Sequence, residues 1–159
     1  MDPDFVVPQL HQFISHANWF KTCYRASART SDDAILFEIT GGVIWSPVKL
    51  SVEIKCRELD RQLSSLARVC SSSFLLLSTL VELDIVEFLP LNSQSHWKDD
   101  IESTKWLELL HPFTAVQDLS LSYQVGRHVC QALEALAEES VTEVLPALQN
   151  IFLSDSQPL

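Results

Sequence analysis

Leu77-Ser78-Thr79-Leu80-Val81-Glu82-Leu83-Asp84-Ile85, Phe113-Thr114-Ala115-Val116-Gln117-Asp118-Leu119-Ser120-Leu121 and Leu145-Pro146-Ala147-Leu148-Gln149-Asn150-Ile151-Phe152-Leu153 fall on one another without gaps. In each, apolar residues stand at offsets 0, 3, 6 and 8. Spacing by three suits a helix end or turn descending onto a core. The last pair, two apart, can both point inward only if the backbone has become a strand. Each stretch therefore reads as helix end, loop and short strand. Counted at Leu83, Leu119 and Ile151, the stretches recur after 36 and then 32 residues. A fixed period of this size is the mark of a solenoid, in which each unit buries its apolar face against its neighbours.

The segments between the matches also behave alike. Before the first strand, Leu59, Leu63, Leu66, Val69 and Cys70 form an apolar helical stripe opposite Arg57, Asp60, Arg61 and Arg68. Between the first two strands, Asp99 and Asp100 can cap a helix carrying Ile101, Trp106, Leu107 and Leu110, which Pro112 ends. Between the next two, Val125, Val129, Ala132, Leu133 and Leu136 make the stripe while Glu134, Glu138 and Glu139 face water. Alternation of helix and strand predicts an α/β fold, a solenoid with a parallel sheet on one face and helices on the other.

The amino-terminal third is less regular. Pro8 can open a short helix through Leu10, Phe13 and Ile14, and Trp19 to Ala26 alternates as a strand does. Two more strand-like runs follow, Ile35 to Ile39 and Val48 to Ile54, with Gly41-Gly42 as the turn between them. This region reads as one or two degenerate units, or as a hairpin closing the end of the stack. One domain over residues 1–159 is expected, irregular over 1–57 and more clearly repetitive over 58–159.

Composition narrows the functional classes. With 159 residues, 47% of them hydrophobic, the chain can bury a sizeable core. Eleven basic residues against 21 acidic ones give a net charge of -10, unsuited to a nucleic-acid surface, which needs clustered Lys and Arg. The opening Met1-Asp2-Pro3-Asp4 is acidic where a signal peptide has a basic region, and the run Phe74 to Leu77 is too short to span a bilayer. Cys23, Cys56, Cys70 and Cys130 form no CxxC pair; they read as free thiols, which points to the reducing cytoplasm or nucleus.

Catalytic motifs are thin. Gly41, Gly42 and Gly126 are the only glycines, so neither GxGxxG nor a phosphate-cradling loop can be written, and GxSxG and HExxH are absent. His96, Lys98, Asp99, Asp100 and Glu102 mix metal-ligand types with a base, but they read better as a solvated helix amino terminus. His11, His16 and His128 have no companions for a triad, and His111 suits a helix carboxyl terminus. No enzyme, cofactor or metal is expected.

Strand alternation instead selects a surface. With Leu83 and Ile85 inward, Glu82, Asp84 and Val86 face outward. The matching residues are Asp118, Ser120 and Ser122, then Asn150, Phe152 and Ser154. Stacked in register they form the rows Glu82-Asp118-Asn150, Asp84-Ser120-Phe152 and Val86-Ser122-Ser154. This mildly acidic face with one aromatic is the expected binding surface for a protein partner. The last strand, Gln149 to Leu153, should be an open edge with apolar neighbours, prone to self-association, and the chain reads as part of a longer repeat array.

The run Lys55-Cys56-Arg57-Glu58-Leu59-Asp60-Arg61-Gln62-Leu63-Ser64-Ser65-Leu66, with Trp106 to Val116 and Glu143 to Leu153, resembles the carboxy-terminal leucine-rich-repeat region of a large fungal family of F-box-type proteins. The resemblance implies an irregular leucine-rich-repeat solenoid that chooses substrates for a cullin-type ubiquitin ligase. The family's amino-terminal F-box helices have no counterpart in these residues. Phe88, Gln124 and Ser156 stand where regular repeats carry an asparagine after the strand, so the loops must bond differently. A degenerate structural copy without a partner is the alternative, and an enzyme of another kind a more distant one.

Overall fold

A computed structural model describes residues 23–43, 45–72, 77–87, 102–139 and 144–154. The expected amino-terminal helix at Pro8 and the caps at Asp99 and Asp100 lie outside these. In chain order the elements are β1 (Arg25–Thr30), β2 (Ala34–Val43), β3 (Ser46–Lys55), α1 (Leu59–Ser72), β4 (Glu82–Glu87), α2 (Ser103–Leu110), β5 (Asp118–Ser122), α3 (Tyr123–Glu138) and β6 (Asn150–Ser154). One six-stranded sheet runs in the order β3-β2-β1-β4-β5-β6.

The three matched stretches lie side by side in chain order, in the register their alignment requires. Leu83 pairs with Leu119 and Leu119 with Ile151, all in parallel. Leu77, Leu80, Phe113 and Val116 are buried ahead of their strands, as is Leu145. The change of period is physical: Leu80 N–H donates to Leu77 O at 3.2 Å and Leu148 N–H to Leu145 O at 3.1 Å, each a tight turn that delivers the chain to a strand.

The sheet as a whole is mixed, not parallel. β2 pairs antiparallel with both β1 and β3, because β2 and β3 form a hairpin on the outer side of β1. Its stem is closed by Ser31 N–H on Ala34 O at 2.9 Å and Cys56 N–H on Asp33 O at 2.8 Å. The buried amide of Gln62 on α1 donates to both Ser31 O and Cys56 O, at 3.1 and 2.5 Å. The turn is not at Gly41-Gly42: both lie in β2, and the chain reverses between paired Val43 and Ser46. Glycine is still required there. Gly42 has φ +88, and a Cβ on Gly41 would meet the Cys23 Cα at 2.8 Å.

β1 had no place among the sequence-read units beyond Ala26, yet it joins them. Val81 and Glu82 N–H both donate to Tyr24 O, Gln117 and Asp118 N–H to Val81 O, and Gln149 and Asn150 N–H to Gln117 O. The step from β1 to β4 is thus the same step taken twice more. Cys23, Ala26 and Ala28 occupy the buried positions of Leu80, Leu83 and Ile85. Leu83 follows Ala26 by 57 residues; without the 24 of the hairpin, 32–55, the interval is 33, beside 36 and 32.

Helices α1, α2 and α3 pack in that order on one face of the sheet. Their stripes enter the core as the periodicity requires: Leu63, Leu66, Val69 and Cys70, then Trp106 and Leu110, then Val125, Val129 and Ala132 are buried. Phe37 of β2 meets Phe113 edge-on, ring centroids 6.4 Å apart, tying the hairpin to the repeated part. Cover thins toward β6, whose helix-side Ile151 and Leu153 are 43% and 59% exposed.

Two outcomes follow for stability. Leu119, fully buried between Leu83 and Ile151, should lose about 2–5 kcal/mol on replacement by Ala, and Ser120→Ala on the other face within about 0.5 kcal/mol. Denaturant titration separates them, and equal losses would reverse the assignment of faces. Second, burial, helped by the charge of Asp32, raises the Glu87 carboxyl from 4.5 to about 7. The folded chain then keeps a proton that an unfolded carboxyl has released, so this group costs stability progressively as pH rises from about 4.5 to about 7. Glu87→Gln should therefore gain melting temperature relative to the parent across that window, and parallel melting curves would show that Glu87 is not the group responsible.

Candidate functional site

The face opposite the helices carries the outward residues of every strand, because strand residues alternate sides and one side is committed to the core. Two expected rows are present in register. Glu82 pairs with Asp118 and Asp118 with Asn150; Asp84 pairs with Ser120 and Ser120 with Phe152. Asn150 Nδ2 donates to Asp118 Oδ1 at 2.8 Å along the first row. Phe152, 53% exposed, ends the second.

The third row needs correction. Ser122 pairs with Ser154, but Ser122 is buried, not displayed. β4 and β5 pair only as far as Ile85 and Leu121, and the Ser122 hydroxyl accepts the Glu87 N–H at 3.1 Å where the ladder ends. Ser154 Oγ likewise reaches Leu121 O at 3.5 Å. Both serines satisfy backbone at the strand ends. The sequence held a signal for this: Ser122 immediately precedes α3, and serine is common at such strand-to-helix junctions.

Sequence reasoning also missed half of the face. β1, β2 and β3 extend the rows to six strands: Lys49, Thr40 and Arg25 continue the row of Glu82, while Ser51, Glu38 and Ser27 continue that of Asp84. These strands bring the bases. Arg25 places Nε at 2.6 Å and Nη2 at 2.5 Å from Asp84 Oδ2, with Glu82 at 3.9 Å. Hydrogen bonding to Asp84 raises the Arg25 guanidinium further above its ordinary value. Glu38 is the second hub, with Lys49 Nζ at 2.6 Å, Arg29 Nη2 at 3.7 Å and the Ser51 hydroxyl at 3.2 Å. The hydrogen bond from Lys49 leads in holding its carboxyl below the usual range, against an opposing push from burial. The face is therefore a patchwork of paired charges over β1 to β4, giving way to amide, hydroxyl and aromatic groups toward β6.

Other candidates fare differently. His96, Lys98, Asp99 and Asp100 lie outside the described residues, and Glu102 is exposed ahead of α2. His111 stands at the carboxyl end of α2, its N–H on Leu107 O at 3.0 Å. Among the described residues no group of three or more His, Cys, Asp and Glu could hold a metal ion, and no helix is long and apolar enough to cross a membrane. The four cysteines are free; burial pushes the Cys23 thiol up to about 11 and raises that of Cys70 as well, so neither is a nucleophile at neutral pH. A groove of about 910 Å³ crosses the helix layer, with Arg68, Lys105, Glu108 and His111 among apolar Ala67, Leu107 and Leu136. Comparison of the chain with protein-family models, curated proteins and solved structures finds no match in any of the three.

Proposed function

We propose that the chain is a non-catalytic protein-interaction module of irregular leucine-rich-repeat type, binding a protein partner through the open face of its sheet. The observation that carries this reading is the register of that face. Residues far apart in sequence, Asp84, Ser120 and Phe152, are aligned across β4, β5 and β6 on a surface that no described element covers. Such a surface offers hydrogen-bonding groups and charges at a fixed strand spacing, with one aromatic anchor at its end. The recurring two-donor step between units supports the solenoid reading. The resemblance to the F-box-type family supports the narrower one, substrate recognition for a cullin-type ubiquitin ligase.

The test is affinity capture from the source cell with the whole chain and two variants of checked fold. Ser120→Arg places a long cation in the middle of the face, and Lys105→Glu alters the helix-side groove. Capture of a specific protein should weaken about tenfold or more with Ser120→Arg, the equivalent of about 1.4 kcal/mol, and stay unchanged with Lys105→Glu. The opposite pattern would move the binding site to the groove and overturn the reading. On the ligase reading, the captured protein should also carry ubiquitin in that cell.

A further inference from the structure

The sheet has two edges, and among the described residues only one is defended. β3 exposes Pro47, Lys49, Glu53 and Lys55, and a proline and charges of this kind oppose the addition of another strand. β6, Asn150-Ile151-Phe152-Leu153-Ser154, has no charge and no proline, and every residue of it is exposed. Its three central side chains are large and apolar, on both faces of the sheet.

Its outer backbone groups, which no described residue bonds, are placed for a partner. Asn150 turns its N–H to β5, bonding Gln117 O at 3.0 Å. Because successive residues of a strand direct their amides to opposite sides, Ile151 and Leu153 direct N–H and C=O to the open edge. The order of residue types is also a palindrome about Phe152: polar, aliphatic, aromatic, aliphatic, polar. In an antiparallel pair about a two-fold axis through Phe152, Ile151 faces Leu153 of the other copy and exchanges both backbone bonds with it, twice over. Phe152 faces Phe152 in the close, non-hydrogen-bonded pair. The core layer of each copy, left uncovered at Ile151 and Leu153, then continues into the other.

We propose that β6 is a homodimerisation edge, pairing antiparallel with β6 of a second copy to form a continuous twelve-stranded sheet. Two observations favour a second copy over a different chain. The strand is self-complementary in side-chain type and backbone direction, as a two-fold interface requires. It is also uncharged in a chain of net charge -10, so it is where two copies approach with no like charge in the contact. The contact continues the β5–β6 ladder outward by one strand. A five-residue edge buries less than stable dimers do, so the dimer exchanges with monomer and gains strength with salt, which screens the remaining repulsion.

Sedimentation of the whole chain should show a mass rising from 18.0 kDa toward about twice that as concentration and salt increase, and Phe152→Glu should return it to monomer. A strictly monomeric parent up to about 200 µM would overturn the proposal, as would a dimer indifferent to Phe152→Glu. Cysteine pairing fixes the geometry without relying on either result. Phe152→Cys should cross-link to itself under mild oxidation. Asn150→Cys should do so poorly alone but readily when mixed with Ser154→Cys. Self-linking at position 150 as strong as at 152, or linking of Phe152→Cys to a Lys49→Cys chain, would replace the two-fold pair with another arrangement. Partner capture retained by Ile151→Glu, whose side chain is on the helix side of the edge, while dimerisation is lost would separate this edge from the binding face.

Discussion

Two consecutive N–H groups donating to one carbonyl set the geometry of this molecule. The motif occurs at Tyr24 O, Val81 O and Gln117 O, each time just ahead of a parallel strand pair. A parallel pair has no hairpin to fix its register, so something at the start of the strand must do so. Here the turn before each strand presents both amides to the previous unit. Once that contact is made, Leu83, Leu119 and Ile151 are aligned, and a slip of one residue would turn all three toward solvent. The helices then need only cover the side on which those residues stand.

The same constraint explains the charges of the opposite face. Arg25 lies opposite Glu82 and two positions from Asp84 because β1 is brought against β4 by the first of these contacts. Glu38, Arg29 and Lys49 meet only because the hairpin holds β2 between β1 and β3. Gln62 is central to that placement, since one buried amide bonds both ends of the hairpin stem. A buried donor deprived of both carbonyls would leave them unsatisfied, which costs more than the bonds themselves contribute. The hairpin is thus anchored to α1 as well as to its neighbouring strand.

How far the sequence revealed this depends on side-chain size. β4, β5 and β6 were legible because Leu, Ile and Phe at offsets 6 and 8 announce inward strand positions. β1 follows the same offsets with Cys23, Ala26 and Ala28, and such small residues, alternating with Arg25, Ser27 and Arg29, carry no visible hydrophobic period. Trp19 to Ala26 reads as a strand, but without that period nothing joins it to the repeated units, so Arg25 is not set beside Asp84 and the face reads as more acidic than it is. The hairpin runs are legible, but Gly41-Gly42, turn chemistry by composition, is needed instead where Cys23 and Ser46 press against β2. Ser122 was placed by alternation alone, which cannot register that a ladder ends and a hydroxyl turns back to the backbone.

Stability does not account for the polar face. Arg25 is half exposed and Lys49 more so, and ion pairs with one partner in water contribute about 0–1 kcal/mol each, less in salt. Against the several kcal/mol held in a single buried leucine such as Leu119, these rows are a minor part of folding. A face needed only for solubility would tolerate any scatter of charge. Here Glu38, Glu82 and Asp84 on the outward face are each held by a base from a neighbouring strand, while Asp118 accepts the amide of Asn150. On the binding role proposed above, local pairing would lower the desolvation cost that an incoming surface meets over β1 to β4 and leave the amide, hydroxyl and aromatic groups of β5 and β6 as the positions where a partner would gain most.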